Sequence, residues 1–294
     1  RQRQMCIRDR VFTAMQLQPV DLVRGDVELP TLSTIYLQFT QKLDEPGAKA
    51  GDFAEIISSD PALTTKLLKI VNSAYYSFSA TITDVSHAIT IVGLTELREM
   101  VLAICVVDYF EGLPNKLISM EDFWEHSIYT GLLAREIQRS LAMNTGDSMF
   151  TVGLLHDLGS LVFYNRLPEI AKSVLEISDR QESPRFEVER EELGFDHAAI
   201  GAALIEHWGL PDFLVKVIRY HHAPDKADEH SRETLLLNLS DKISRAVEKG
   251  DPVNSVIDLN RDFSALNLKN EVLMASKDRV DEQLQSVLAA IQAV

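Results

Sequence analysis

The sequence has 294 residues, 46% of them hydrophobic and 25% charged, which is enough to bury one large core or two smaller cores packed together. Its 29 Lys and Arg are outnumbered by 44 Asp and Glu, and the net charge of -15 argues against a nucleic-acid partner because it repels a phosphate backbone. No run of about 18 apolar residues occurs, so the sequence predicts no membrane span and no membrane partner.

The N-terminal residues and the cysteines indicate which part of the chain is native and in which cellular compartment the protein lies. Residues 1–10 match nothing that follows in pattern or charge, and we interpret them as a non-native or disordered segment, with a basic arm as the alternative. Cys6 and Cys105 are the two cysteines, and no signal-peptide pattern precedes them. This usage predicts a reducing, cytoplasmic location instead of a disulfide framework.

The first clear elements are helical. Glycine and proline are sparse, and apolar residues between them recur at three- and four-residue spacing. Asp60 is suited to cap a helix that begins at Pro61, and Asn72 marks its end or a bend. The predicted core stripe of this helix is Leu63, Leu67, Leu68, Ile70 and Val71.

Two further helices follow before a break. The first carries His87, Ile89, Ile91 and Val92 and ends near Gly93. The second runs over residues 94–109 and is broken at residues 111–114. A loop is predicted at residues 178–184, and residues 250–252 separate a C-terminal helix. The stripe of that helix is Leu268, Val272, Leu273, Val280, Leu284, Val287, Leu288 and Ile291.

His156 and Asp157 interrupt an apolar helical segment at residues 152–159. Burying this pair without partners would be costly, and an adjacent imidazole and carboxylate can both bind one cation. A bridging carboxylate is also suited to a site that two metals share. The alternative is a mutually satisfied polar pair that only fixes helix packing.

Other candidate ligands lie on separate helical segments, as in a metal site built inside a helical bundle. Six of the eight histidines fall between residues 126 and 222. Asp241 has a second interpretation as a helix cap. Asp122 has a second interpretation as an acidic residue that stabilises the first turn of its helix. The candidate metal ligands are His126, His156, Asp157, His197, His221, His222 and Asp241, with Asp122 as an additional candidate.

The ordered pattern of His126, then His156 and Asp157, then Asp241 resembles the HD superfamily, whose usual activity is hydrolysis of phosphate esters. His197 and the doublet His221 and His222 resemble the additional ligands of HD-GYP cyclic-dinucleotide phosphodiesterases, which hold two or three metals. Asp122 stands where some of those enzymes place a glutamate. If the chain is an active enzyme, this resemblance implies that Asp157 acts with a metal-bound water.

Two positions depart from the HD-GYP pattern. Those enzymes follow the His-Asp pair with isoleucine, glycine and lysine, whereas Leu158 and Gly159 here lead to Ser160. This removes the cation expected to bind phosphate. No Gly-Tyr-Pro signature follows His222.

Several motifs in the N-terminal half resemble HDOD, the HD-related output domain, over about residues 22–245. They lie at residues 29–32, 59–63, 67–76, 88–89 and 92–93. The resemblance implies an all-α fold, an HD-superfamily helical bundle with an N-terminal helical HDOD subdomain. The predicted subdomains are residues 22–115 (N-terminal HDOD), 116–245 (HD-like, with the metal pocket) and 246–294 (C-terminal helical extension).

HDOD domains are regarded as bacterial signalling modules, most of them without an established reaction. The resemblance therefore implies a regulatory module that binds a divalent metal and acts through a signalling protein partner, whose identity the sequence does not give. The alternative is a metal-dependent phosphohydrolase that binds a nucleotide or cyclic dinucleotide, and a third interpretation is a purely structural adaptor. Imidazole and carboxylate ligands without cysteine favour iron or manganese, and zinc is also compatible.

Overall fold

The computed structural model describes residues 17–24, 33–76, 78, 80–111, 116–143, 149–253 and 265–291, and all regular secondary structure in these ranges is helical. The predicted all-α fold is therefore confirmed. None of the described helices is long and apolar enough to cross a membrane. Residues 1–10, the motif at 29–32 and the break at 112–114 lie outside the described residues, as does Cys6.

The helices fall into two groups along the chain. Those of the first half are α1 (Pro19–Val23), α2 (Thr34–Leu43), α3 (Ala50–Ser58), α4 (Pro61–Val71), α5 (Val85–Val92) and α6 (Leu94–Glu111). Those of the second half are α7 (Met120–Ser140), α8 (Met149–Leu155), α9 (Leu158–Arg166), α10 (Pro168–Gln181), α11 (Arg185–Leu193), α12 (His197–His207), α13 (Asp212–Tyr220), α14 (Ser231–Lys249) and α15 (Asn270–Ile291).

Helix α4 begins and ends as its sequence predicts. The Asp60 carboxylate accepts hydrogen bonds from the backbone N–H groups of Ala62 and Leu63, and a proline opens the helix. Asn72 ends it, and its side chain both donates to the Ile82 carbonyl and accepts from the Ile82 N–H, at 2.7 and 2.8 Å. Asn72 thus ties the end of α4 to the segment that leads into α5.

Helix α7 is the central element of the second half. It packs against α8, α14 and α15, and the side chains of Trp124, Ile128 and Leu132 on it are almost completely buried. The C-terminal helix α15 also contacts α4, so it packs on the body of the protein. Helix α1 is the first helix in sequence, but it packs against α9 and α12 of the second half.

Two sequence-based boundaries differ from the structure. The loop predicted at residues 178–184 is shorter, because α10 continues to Gln181 and only residues 182–184 separate it from α11, with Glu182 at a φ of 53°. The single apolar helix predicted around His156 is instead divided into α8 and α9 by a turn at His156 and Asp157. The division into residues 22–115, 116–245 and 246–294 stays a prediction.

Cys105 on α6 should react slowly with alkylating agents, because burial raises the pKa of its thiol to about 11. At about pH 8 this lowers the thiolate fraction by about two orders of magnitude relative to an ordinary cysteine. We expect a Cys6→Ser protein to react with iodoacetamide about 100-fold more slowly when folded than when denatured in urea. Equal rates in the two states would contradict this assignment.

Candidate metal centre

The second half of the chain brings seven predicted ligands into one buried cluster. Helix α7 supplies one ligand, the turn between α8 and α9 two, the start of α12 one, the end of α13 two, and α14 one. Their ligand atoms form three overlapping groups in which all atoms lie within 4.8 Å of one another. The seven residues are His126, His156, Asp157, His197, His221, His222 and Asp241.

Glycine contacts between helices explain why these elements approach so closely. A Cβ on Gly153 of α8 would lie 2.4 Å from Gly131 Cα on α7. A Cβ on Gly159 of α9 would lie 2.0 Å from the carbonyl oxygen of His197 and 2.4 Å from the backbone nitrogen of Gly201 on α12. Since α8 and α9 flank the turn at residues 156 and 157, these contacts press that turn between the helices that carry the other ligands.

Asp157 lies at the centre of the cluster, and its two oxygens face different groups. Its Oδ1 lies 3.1 Å from His197 Nε2, 3.2 Å from His156 Nε2 and 3.8 Å from His221 Nε2. Its Oδ2 lies 3.7 Å from His126 Nε2. This is the placement expected of a carboxylate that bridges two halves of a metal pocket.

Asp241 belongs to the half that contains His126. Its Oδ1 lies 3.1 Å from His126 Nε2 and 3.7 Å from His156 Nε2. The three side chains come from α14, α7 and the α8–α9 turn, so this half joins three separate elements. It shares His156 and Asp157 with the rest of the cluster.

Two histidines are oriented by backbone carbonyls. His156 Nδ1–H donates to the Gly153 carbonyl at 2.6 Å, and His221 Nδ1–H donates to the Ile218 carbonyl at 2.7 Å. The Asn238 side chain donates in turn to the His221 carbonyl at 2.6 Å. Both rings are fixed with Nε2 free, as in metal-binding histidines.

Two other histidines are oriented by carboxylates. His197 Nδ1–H donates to Glu189 Oε2 at 2.6 Å, and the same oxygen accepts from the His197 backbone N–H at 2.8 Å. Glu189 is only 1% exposed. His126 Nδ1–H donates to Glu248 Oε1 at 2.5 Å. Carboxylates bonded to the second ring nitrogen are a recurrent feature of metal-binding histidines because they increase ligand basicity.

Four buried ligand atoms lack any hydrogen-bond partner. They are the Nε2 atoms of His126, His156 and His221 and the Oδ1 atom of Asp157. Buried polar atoms are nearly always hydrogen-bonded, so four unpaired atoms within one cluster require an explanation. Divalent metal binding in these overlapping groups would satisfy such atoms, and the residues present therefore fit a metal.

Electrostatics prepares the two carboxylates for a cation. Burial alone would raise the pKa of Asp157, but His156, His197 and Arg245 outweigh it and hold that pKa well below its usual range. Burial acts on Asp241 in the same way, and Arg245 together with His126 and His156 keeps its pKa well below the usual range. Both carboxylates are therefore ionised at neutral pH.

The histidines differ in charge preference. Burial lowers the pKa of His221 to about 4 and that of His222 well below its usual range, so both rings are neutral at neutral pH. Burial also opposes protonation of His197, but Glu189 and Asp157 raise its pKa well above the usual range. Asp241 and Glu248 likewise outweigh burial and raise the pKa of His126 to about 9.

His222 lies at the more exposed side of the cluster and stacks on an aromatic ring. The rings of Phe186 and His222 are 4.1 Å apart and nearly parallel, at 15°. His222 Nε2 lies 2.8 Å from His197 Nε2. Stacking on Phe186 thus helps to hold His222 beside the other ligands.

Asp122 is not brought into the cluster. It is exposed in the first turn of α7, where its backbone N–H donates to Ser119 Oγ. Lys216 and Arg219 on α13 lie near carboxylates at the surface and not in the cluster. Lys216 pairs with Asp212 and Glu229, and Arg219 lies 3.7 Å from Glu206.

Sequence reasoning missed three residues of the site. Arg245 Nε donates to Asp241 Oδ1 at 2.8 Å, and Arg245 Nη2 donates to Asp157 Oδ2 at 3.2 Å. Arg245 follows Asp241 by four residues on α14, which places both side chains on one helix face. This spacing is the sequence signal by which Arg245 could have been found. Glu189 and Glu248 gave no such signal, because their histidine partners lie on other helices.

Replacing Glu189 by glutamine should weaken metal binding about 10- to 100-fold, as loss of a carboxylate behind a metal-binding histidine does. The glutamine keeps the size of the side chain but removes the charge that supports His197. Isothermal titration of metal-free protein with Mn²⁺ measures the effect. Glu191→Gln is the control, since Glu191 is exposed on the same helix, and an equal loss in both variants would refute this role of Glu189.

The HDOD domain model matches residues 29–224. An uncharacterised protein from Treponema pallidum (strain Nichols) is 32% identical over 211 residues, which cover 69% of this chain and 39% of that protein. The chain thus spans well under half the length of this curated relative.

Solved structures share the fold. An HDOD domain protein of unknown function from Geobacter sulfurreducens has a TM-score of 0.75 at 22% identity, covering 94% of this chain and 97% of that one. A proposed phosphohydrolase from Shewanella amazonensis SB2B has a TM-score of 0.73 at 22% identity, covering 93% and 98%. A proposed signal transduction protein from Marinobacter aquaeolei VT8 has a TM-score of 0.66 at 21% identity, covering 98% and 65%.

Proposed function

The chain belongs to the HDOD domain family, and on that premise we propose that it is a bacterial signal-transduction module that binds a divalent metal in its buried histidine and aspartate pocket and acts mainly through a protein partner. The observation that carries the metal assignment is the convergence of four unpartnered, buried ligand atoms, from His126, His156, Asp157 and His221. Family membership supports the signalling role, as does the description of the Marinobacter protein with the same fold.

The chemistry of the ligands favours iron or manganese, and it is compatible with zinc. The set consists of imidazole nitrogens and carboxylate oxygens, which suit all three metals. When bound, such a metal supplies Lewis-acid chemistry toward an oxygen ligand. Asp157 and Asp241 supply the negative charge, and Glu189 and Glu248 orient two of the histidines.

Two features support regulation over turnover. Ser160 is buried in the first turn of α9, at the position where the HD-GYP pattern has a phosphate-binding lysine. The cluster itself is almost entirely buried, and Asp157 and Asp241 are already paired with Arg245. A bound metal would therefore stabilise the packing of five helical elements, which is a suitable basis for a structural signal.

A second candidate is a metal-dependent phosphohydrolase that acts on a nucleotide or cyclic dinucleotide. Arg245 favours it, because its side chain is 37% exposed beside the ligand carboxylates and a guanidinium can bind two phosphate oxygens at once. The Shewanella proteins described as proposed phosphohydrolases share the fold. In such an enzyme Arg245 would orient the phosphate, and the Asp157 carboxylate would be the proton acceptor.

Metal analysis and activity assays on the same preparation separate the two functions. Protein purified without a histidine tag and without added metal is analysed for iron, manganese and zinc. It is then assayed on cyclic dinucleotides and on a generic phosphodiester. The proposal predicts bound metal and no hydrolysis above that of His156→Ala and Asp157→Ala proteins.

Steady hydrolysis that disappears in those two variants would instead establish the phosphohydrolase. A folded protein that contains no metal and takes none up on incubation would contradict both functions. It would leave a purely structural adaptor as the remaining interpretation.

A further inference from the structure

We propose that Arg245 acts as an internal cation in place of a second metal, so that the native pocket binds one divalent ion tightly and the second only after Arg245 is displaced. This inference rests on the proposed metal-binding function and concerns how many ions the pocket holds. It assigns a specificity-determining role to a residue outside the predicted ligand set.

The guanidinium is bonded to both carboxylates of the cluster. Arg245 Nε donates to Asp241 Oδ1 at 2.8 Å, and Nη2 donates to Asp157 Oδ2 at 3.2 Å. Those two oxygens are the ones that face His126, at 3.1 Å from Asp241 Oδ1 and 3.7 Å from Asp157 Oδ2. Every carboxylate oxygen that lies within 4 Å of His126 Nε2 in this half is therefore already paired with a positive charge.

In the other half of the pocket, no lysine or arginine is paired with the ligand atoms among the described contacts. Asp157 Oδ1 is buried without a hydrogen-bond partner and faces His197, His156 and His221 at 3.1, 3.2 and 3.8 Å. His222 completes this group. One carboxylate oxygen and several imidazole nitrogens are thus available to a metal without moving Arg245.

Charge balance explains why the two halves should fill unequally. Asp157 and Asp241 contribute two negative charges to the centre of the pocket, and Arg245 contributes one positive charge. A second ion next to the guanidinium would bring three cationic groups together in a buried site, and it would need the carboxylate oxygens that already accept from Arg245. Uncompensated buried charge is costly, so the second ion must compete with Arg245 for the same oxygens.

Displacement of Arg245 is sterically feasible. Its side chain is 37% exposed, in contrast to the buried ligands behind it. It can therefore rotate toward solvent without disrupting the core, as long charged side chains at a surface commonly do. The structure thus places a partly exposed, replaceable cation beside the carboxylate pair.

Mn²⁺ titration of metal-free, untagged protein tests the inference, with isothermal calorimetry for affinity and native mass spectrometry for stoichiometry. Wild type, Arg245→Met and Arg245→Gln are compared, and Arg232→Met is the control because Arg232 is exposed on the same helix. We expect wild type and the control to bind a second ion at least about ten-fold more weakly than the first. The Arg245 variants should bind the second ion about ten-fold or more tightly than wild type does.

Two wild-type sites with equal affinities would overturn the inference while leaving the proposed metal-binding function intact. A second site that stays equally weak in both Arg245 variants would also overturn it. The wild-type titration decides even if a variant does not fold. Absence of Mn²⁺ binding and of any native metal in wild type would instead contradict the proposed function itself.

Discussion

Replacing Asp157 by asparagine should reduce the metal content of the purified protein to less than about a tenth of the wild-type value, since even loss of a residue behind a ligand costs 10- to 100-fold. The physical reason is the position of the carboxylate. Oδ1 faces His156 and His197 at 3.2 and 3.1 Å, and Oδ2 faces His126 at 3.7 Å. Asparagine keeps the shape but removes the charge and turns one oxygen into a donor that would face the imidazoles.

Asp122→Asn is the matched control for this substitution. Asp122 was predicted as an additional ligand, but its side chain is exposed in the first turn of α7. We expect Asp122→Asn protein to retain its metal. Thermal unfolding curves first establish that both purified variants are folded. Elemental analysis of the folded variants then measures their metal content. Equal metal loss in the two variants, or full retention in Asp157→Asn, would contradict the assigned geometry.

Replacing Gly159 by alanine should lower the free energy of unfolding by about 3 kcal/mol or more, at the upper end of what overpacking costs. The added Cβ would lie 2.0 Å from the His197 carbonyl oxygen and 2.4 Å from the Gly201 nitrogen. Because both are backbone atoms, no side-chain rotation relieves the clash, and α9 must move away from α12. The same movement separates Asp157 from His197, so metal affinity should fall as well.

Urea denaturation monitored by circular dichroism measures this effect. Gly51→Ala is the control, because an added Cβ there meets nothing within 4 Å. Gly51 lies in helix α3, where alanine is favoured over glycine by up to about 1 kcal/mol. The control protein should therefore be as stable as wild type or slightly more stable. A Gly159→Ala protein with wild-type stability would refute the close-packing explanation.

The sequence predicted the elements whose signals are local. The capping geometry of Asp60 and the stripe of the C-terminal helix depend on residues within a few positions of one another. The structure confirms the cap, and it confirms the stripe from Leu273 onward, whereas Leu268 precedes α15 and Val272 is half-buried. The loop predicted at residues 178–184 was placed too early because Ser178 is a weak boundary signal and α10 continues to Gln181. The break at His156 was missed because the apolar pattern continues on both sides of it.

The ligand set could be proposed from the family pattern, but its supporting shell could not. Glu189 and His197 are separated by the end of α11, and Glu248 meets His126 across two helices distant in sequence. Such pairs follow from tertiary packing. The glycine contacts are similar, since nothing local to Gly159 indicates that the backbone of residue 197 lies against it. The sequence therefore predicts the candidate ligands, and the structure adds what orients them.

The most direct test of the metal site is anomalous X-ray diffraction from crystals of the untagged protein soaked or grown with Mn²⁺. The account predicts an anomalous peak inside the pocket, at about 2.0–2.3 Å from Asp157 Oδ1 and from the Nε2 atoms of His197 and His221, the range for metal bonds to oxygen and imidazole. A folded, metal-loaded crystal without a peak between these atoms would contradict it.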